Sequence, residues 1–89
     1  MTKSNNEIIA LINKKLPEAM AVNVSEFSEE ETRVGIWFCG SEDYAKDGKR
    51  IFNYYSNTDK MMHIRIEKVL AKYGYYIEPY DCGTAMAYK

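Results

Sequence analysis

The chain has 89 residues, a formal net charge of −1 at pH 7 and a sequence pI near 5.8. This length fits a single domain, residues 1–89, and excludes large folds such as a TIM barrel, which needs about 200 residues or more. Hydrophobic residues make up 46% of the sequence and charged residues 28%, a composition that excludes a disordered tail.

The first predicted element is an amphipathic helix. Ser4 or Asn5 can cap it, since a short side-chain oxygen accepts hydrogen bonds from the free amides of a first helical turn. Isoleucines and leucines then recur at helical spacing up to Leu16. Pro17 ends the helix, because the residue before a proline disfavours the α conformation.

Two strands joined by a polar turn follow this helix. The first begins at Ala21, and a change of phase in its alternation predicts a bulge near Ser25–Glu26. Residues 28–31 are polar and form the predicted hairpin turn. The second strand, residues 32–38, has the clearest alternation in the chain. Its aliphatic face lies opposite a face that carries Trp37, so we expect both faces to contact apolar groups.

The next segment is a polar loop over residues 40–50, with a turn at Asp47–Gly48. Ile51–Tyr55 is a candidate third strand. A second amphipathic helix then begins after a cap at Thr58 or Asp59. Its apolar stripe consists of Met62, Ile66, Val69, Leu70 and Tyr73.

Gly74 is suited to end this helix, because glycine adopts the left-handed conformation at low cost. Residues 75–80 and 84–88 are the last two predicted strands, with a tight turn between them. Pro79 lacks an amide proton, which places its strand at a sheet edge or its proline at a bulge. The order α-β-β-(β)-α-β-β predicts an α+β fold with two helices on one face of a largely antiparallel sheet of four to five strands.

Tyrosine is the strongest compositional feature, with 8 of these residues beside 3 Phe and 1 Trp. Its ring is apolar and its hydroxyl is polar, which suits a surface that is buried in a complex and exposed to solvent in the free protein. The tyrosines could equally build the core and a solvated sheet face. If they form a recognition surface, Tyr76 and Tyr80 share the face opposite Ile77, and Tyr88 joins them in a suitable register. The candidate binding residues are Tyr76, Tyr80, Tyr88, Tyr54, Tyr55 and Trp37.

Positive charge is concentrated on the second predicted helix, where Lys60, Arg65, Lys68 and Lys72 form a basic stripe. With nearby tyrosines such a stripe could hold a phosphate backbone and stacked bases. The sequence pI near 5.8 is low for a nucleic-acid module, so this function is the alternative. Negative charge peaks at Glu26 and Glu29–Glu31, either a solvated hairpin tip or an acidic patch for a basic partner.

The residues that could carry catalysis are few. His63 and Glu67 have the spacing of a hydrogen-bonded pair on a helix, but no nucleophile or metal partner can be assigned to them. A structural zinc site needs about four Cys or His ligands, and the chain contains three such residues. We therefore expect no enzyme activity, cofactor or metal. Because the sequence shows no secretion signal, we expect Cys39 and Cys82 to be free, buried thiols, with a disulfide as the alternative.

The apolar runs in the sequence are short. The longest, residues 8–12, is far below the roughly 20 residues that span a bilayer. No basic segment precedes a long apolar stretch near the start of the sequence, so we expect no signal peptide, no membrane association and a cytoplasmic protein.

The segment Gly74–Tyr88 resembles the ends of small uncharacterised phage and prophage proteins, which read roughly Gly-aromatic-Tyr-x-Glu-x-x-Asp-x-Gly-Thr before a short strand ending in Tyr. Ile51–Tyr55 is similar to a Phe-Asp/Asn-Tyr-Tyr stretch upstream in such proteins. The resemblance covers about residues 51–88 and carries no catalytic residues. It implies a mobile-element origin and action in the cytoplasm of an infected bacterium.

These observations together favour a small non-enzymatic binding protein, such as a phage accessory protein or an inhibitor of a host protein. Its expected partner is a host protein or a second copy of the chain, which would make a homodimer.

Overall fold

A computed structural model describes residues 3–54 and 61–89 of the chain. It confirms the predicted α+β fold, with two helices and a four-stranded antiparallel sheet in the strand order β1-β2-β4-β3. The elements in chain order are α1 (Asn5–Lys15), β1 (Ala21–Asn23), β2 (Gly35–Phe38), α2 (Ile64–Tyr73), β3 (Tyr76–Asp81) and β4 (Thr84–Tyr88). Within the described ranges, no helix is long and apolar enough to cross a membrane.

Helix α1 begins at the predicted cap, Ser4. Its hydroxyl accepts a hydrogen bond from the Glu7 amide at 3.2 Å, and the Glu7 carboxylate accepts one from the Ser4 amide at 3.1 Å. This reciprocal capping box satisfies two amides that would otherwise lack helical partners. The helix ends before Pro17, which starts a single 3₁₀ turn leading to β1.

The connection between β1 and β2 is longer than the predicted hairpin turn. A 3₁₀ turn, Val24–Glu26, replaces the predicted bulge, and the Asn23 side chain caps it by accepting from the Ser25 amide at 3.0 Å. This local bond ends β1 early, and β2 begins at Gly35 rather than at residue 32. Residues 24–34 therefore form a long connection that is free to fold over the sheet.

Both helices pack on the same face of the sheet. Ile36 and Phe38 of β2 point toward them, as do Ala85 and Ala87 of β4. The helices contribute Ile8, Ile12, Leu16, Ile66, Val69 and Leu70 to this main core. Because successive side chains of a strand point to opposite faces, the residues between these point away from the helices, and β2 shows the predicted alternation.

The candidate third strand is not a strand of this sheet over its described residues. Instead, the amide of His63 donates to the Ile51 carbonyl at 2.8 Å, and the amide of Asn53 donates to the Met61 carbonyl at 2.7 Å. Phe52 pairs with Met62 in an isolated bridge. Ile51 and Phe52 are nevertheless buried in the main core.

Helix α2 begins later than predicted. Its N-cap is His63, and the proposed caps Thr58 and Asp59 lie outside the described residues. Met62 therefore precedes the helix, although its side chain is buried as predicted. The C-terminal end was predicted correctly, since Gly74 has the left-handed conformation with φ of 77°.

The two edges of the sheet are protected in different ways. β3 carries Pro79, and its pairing with β4 shifts register between Pro79 and Asp81, as expected for an edge strand with a bulge. At the other edge, the Asn13 side chain makes hydrogen bonds to β1 of the kind that a neighbouring strand would make. It accepts from the Ala21 amide and donates to the Ala21 carbonyl, both at 2.8 Å. Both devices hinder pairing with a strand from another chain.

Candidate functional site

The candidate site lies on the sheet face opposite the helices. Trp37 of β2, Met86 and Tyr88 of β4 and Tyr76 of β3 share this face. Trp37 is paired with Met86 and Tyr76 with Tyr88, and Met86 and Tyr88 lie two residues apart on β4. Met86 and Tyr88 form a second, smaller core with Val24, and Trp37 packs against it. The face is therefore partly covered by residues 24–34 rather than open throughout.

Three aromatic rings form a row across this face. Phe27, from the connection between β1 and β2, lies edge-on to Trp37 at a centroid distance of 5.1 Å and edge-on to Tyr80 at 4.9 Å. Edge-to-face contacts at these distances are favourable and restrict the rings. We call Trp37, Phe27 and Tyr80 the aromatic row. Phe27 is 37% exposed and Tyr80 64%, so the row is packed internally and also reaches solvent.

Tyr76 and Tyr80 are exposed on this face as predicted, but the prediction of an exposed Tyr88 is wrong. Tyr88 lies beside Tyr76 in the register, yet it is only 5% exposed. The Arg33 guanidinium covers its ring at 3.7 Å from the centroid. Burial raises the pKa of the Tyr88 phenol. This tyrosine therefore belongs to the fold rather than to the accessible surface.

Arg33 is held in place by two carboxylates. Its Nη1 donates to Glu78 Oε2 at 3.1 Å, and its Nε donates to Glu31. These hydrogen bonds, the one to Glu31 first, raise the pKa of the guanidinium above its ordinary value. Arg33 thus ties the connection between β1 and β2 to β3 and keeps that connection over the sheet.

Two cavities flank the aromatic row. One, of about 420 Å³, lies between the 24–34 connection and strands β3 and β4, with Phe27, Arg33 and Tyr80 in its wall. The other, of about 600 Å³, lies between α1 and β1 and reaches Trp37 and Glu26. Cavities of this size accept the side chains of a partner or a small ligand.

The remaining candidate binding residues lie elsewhere in the fold or outside the described residues. Tyr54 packs edge-on against Phe52 at 6.4 Å, on the connection that precedes α2. Tyr55 and Lys60 lie outside the described residues. Arg65, Lys68 and Lys72 are exposed on α2, so the basic stripe exists over these three positions. Nucleic-acid binding by this stripe stays a prediction.

His63 does not pair with Glu67 as the helical spacing suggested. As the N-cap of α2, it accepts from the Arg65 amide through Nδ1 at 3.2 Å. The proton is then on Nε2, which donates to Asp47 Oδ2 at 2.9 Å. A hydrogen bond from the Lys49 amide and this one from His63 lower the pKa of the Asp47 carboxyl. Both ring nitrogens of His63 therefore support the local fold.

Cys39 and Cys82 are free thiols as predicted, but both are exposed rather than buried. Cys39 follows the last residue of β2, and Cys82 lies in the turn between β3 and β4, so neither side chain is enclosed by the sheet. Partial burial still raises the pKa of the Cys39 thiol, which disfavours the reactive thiolate.

No group of three or more His, Cys, Asp or Glu residues that could hold a metal occurs in the part of the chain that the structure describes.

Sequence reasoning missed two members of this surface. The alternation in the sequence identifies Phe27 only as a residue out of phase with the first predicted strand, and Arg33 only as a polar position on the second. Both belong to a connection whose path over the sheet depends on tertiary contacts.

No protein-family model, curated protein or solved structure matches the chain. Its function is therefore inferred from its own residues.

Proposed function

We propose that this protein is a small non-enzymatic binding protein that recognises a protein partner through the aromatic row. The observation that carries the proposal is the position of Phe27 between Trp37 and Tyr80, with centroid distances of 5.1 and 4.9 Å. Rings restricted in this way lose little entropy on binding and offer a large apolar area. Aromatic residues of this kind dominate the binding energy of many protein interfaces.

The charges around the row favour a partner with basic side chains. Glu26 lines the larger cavity beside Trp37, and Glu31 lines the smaller one beside Tyr80. Glu29 and Glu30 are exposed on the same connection. Glu31 is already bound to Arg33, so Lys or Arg side chains of a partner could pair with Glu26, Glu29 and Glu30 and stack on the neighbouring rings. The acidic residues of the predicted hairpin tip thus lie next to the aromatic row.

The resemblance to phage and prophage proteins suggests where the partner is found. A protein from a mobile element that acts in the bacterial cytoplasm is surrounded by host proteins, which are its available partners. The proposed partner is accordingly a host protein. The test must distinguish binding to a host protein from self-association into a homodimer.

The test compares the wild-type chain with Tyr80→Ala and with the matched control Tyr44→Ala. Tyr44 is 56% exposed and lies on the loop before α2, where it packs against Arg50, so the control removes the same side chain elsewhere. Immobilised wild-type protein captures partners from bacterial cytosol, and mass spectrometry identifies them. Calorimetry then measures the affinity of each identified protein for the three chains, and sedimentation measures self-association.

We expect Tyr80→Ala to weaken association about tenfold or more, and Tyr44→Ala to change it by less than about twofold. Both variants should keep a melting temperature close to that of the wild type, because an exposed ring has little packing to lose. Equal affinities of Tyr80→Ala and wild type would overturn the proposal. So would a large loss of stability in Tyr80→Ala, which would show that the ring serves the core.

A further inference from the structure

We propose that the cleft between the end of α1 and the start of α2 binds a phosphate group. Five cationic residues from three separate segments surround it: Lys14, Lys15, Lys46, Arg65 and Lys68. The main cavity, of about 500 Å³, is lined by the first four of them, and a smaller one of about 260 Å³ shares Lys15 and Arg65 and adds Lys68. We call these five residues the basic cleft. It lies apart from the aromatic row and does not depend on the function proposed for that row.

Arg65 joins the two sides of the basic cleft. Its Nη1 donates to the Lys15 carbonyl at 3.3 Å, which holds the guanidinium of α2 against the end of α1. A guanidinium has five N–H donors, so this single bond leaves donors for a ligand. A positioned guanidinium can bind two oxygens of a phosphate at once, and flexible lysines around it supply further charge.

The charge of the basic cleft is only partly neutralised by neighbouring carboxylates. Within residues 3–54 and 61–89, the ion pairs between charged side chains join Arg33 to Glu31 and Glu78, and none involves a residue of the basic cleft. Glu18 and Asp47 also line the main cavity, and Asp47 is occupied by the Lys49 amide and the His63 ring. Four cations against two carboxylates in one concave site leave a positive potential that concentrates anions.

Lysines in the last turn of a helix often only complement the negative end of its dipole. That explanation covers Lys14 and Lys15, which occupy the last turn of α1. It does not cover Lys46 in a loop or Arg65 and Lys68 in the first half of α2. The convergence of all five on one cavity points to a ligand of opposite charge.

A phosphate group in this cleft could come from two sources. The volume of about 500 Å³ is sufficient for a free nucleotide or a pyrophosphate. Lys68 and Lys72 continue the positive charge along α2, which would extend contacts to the phosphodiester backbone of a single-stranded nucleic acid. The shared chemistry is the phosphate oxygen, and the test separates the two sources.

The test uses the full chain at low salt, with sodium pyrophosphate as one probe and a 5′-labelled oligothymidylate of about 20 nucleotides as the other. Amide chemical shifts map the pyrophosphate site, and fluorescence anisotropy measures oligonucleotide affinity at two salt concentrations. The variants are Lys15→Ala and Arg65→Gln. The matched control is Lys3→Ala, which removes an exposed lysine beyond the other end of α1.

We expect pyrophosphate to shift the amides of residues 14–16, 18, 45–47 and 65–68. Arg65→Gln should weaken binding about tenfold and Lys15→Ala about fivefold, while Lys3→Ala stays within about twofold of wild type. Tighter binding of the oligonucleotide, with affinity that falls steeply as salt rises, would identify a nucleic-acid backbone as the source. Binding of pyrophosphate alone would identify a free phosphate ligand. Shifts spread over the whole surface, an equal effect of Lys3→Ala, or binding of neither probe would overturn the proposal.

Discussion

Gly35 shows how one residue without a side chain shapes the aromatic face. It is paired with Tyr88, and a Cβ atom at Gly35 would lie 2.6 Å from the Tyr88 ring and 2.9 Å from the Ala87 carbonyl oxygen. Contacts this short are repulsive, so only glycine leaves room for the ring. The Arg33 guanidinium also covers the Tyr88 ring, which is therefore enclosed. This enclosure is the physical reason that Tyr88 is not part of the accessible surface.

We therefore expect Gly35→Ala to lower the free energy of unfolding by roughly 1–3 kcal/mol, because the added methyl group overpacks the face. Urea denaturation measures this cost. In a Tyr88→Leu background the same substitution should cost clearly less, since a smaller side chain can move away. An equal cost in both backgrounds would assign the effect to the Ala87 carbonyl rather than to the ring.

At the scale of the element, helix α1 is stabilised by a charged capping box. Hydrogen bonds from the Ser4 amide and hydroxyl lower the pKa of Glu7 in the folded chain. A lowered folded pKa means that the stabilisation is complete above the unfolded pKa and is lost as pH falls through the folded value. Helix α1 should accordingly lose part of its stability in acid.

Glu7→Gln tests this pH dependence while preserving an acceptor for the Ser4 amide. We expect the variant to be less stable than wild type at pH 7, and the difference to shrink as the pH falls below about 4. Urea denaturation at several pH values measures the two stabilities. A difference that is constant with pH would show that the negative charge of Glu7 contributes nothing.

At the scale of the whole molecule, one main core supports both proposed surfaces. Leu70 of α2 is buried in the same cluster as Ile12 of α1 and Phe38 of β2. The basic cleft depends on the contact between α1 and α2, and the aromatic row depends on the position of β2 and β4. A loss of core packing should therefore disturb both surfaces together.

Leu70→Ala should cost roughly 2–5 kcal/mol, because it leaves a cavity beneath α2. A domain of this size has a total stability on the order of 5 kcal/mol, so much of the population could unfold. Circular dichroism reports the helices, and the fluorescence of Trp37, the single tryptophan, reports the sheet face. We expect both signals to change in one coincident transition at a lower urea concentration than in wild type. Separate transitions, or an unchanged midpoint, would contradict a shared core.

Much of the fold was predictable because its signals are local. Ser4 as a cap, Pro17 as a helix end and Gly74 as a left-handed cap act within one or two turns of their own position. The alternation in β2 also predicted which residues share a face of the sheet, although not which face the helices cover. The candidate site was less predictable, since the alternation placed Tyr76 and Tyr80 on one face but did not reveal Phe27 beside them.

The fold class, the start of α1 and the C-terminal end of each helix could be predicted from the sequence, because hydrogen-bonding capacity, backbone preference and apolar periodicity are properties of short segments. The contacts that each buried or exposed side chain makes depend instead on the tertiary structure. Arg33 reaches Glu78 across 45 positions of sequence and covers Tyr88, and Arg65 reaches Lys15 across 50 positions and closes the basic cleft. Such contacts depend on how the packed core orients distant segments, and no local pattern of residues encodes that orientation.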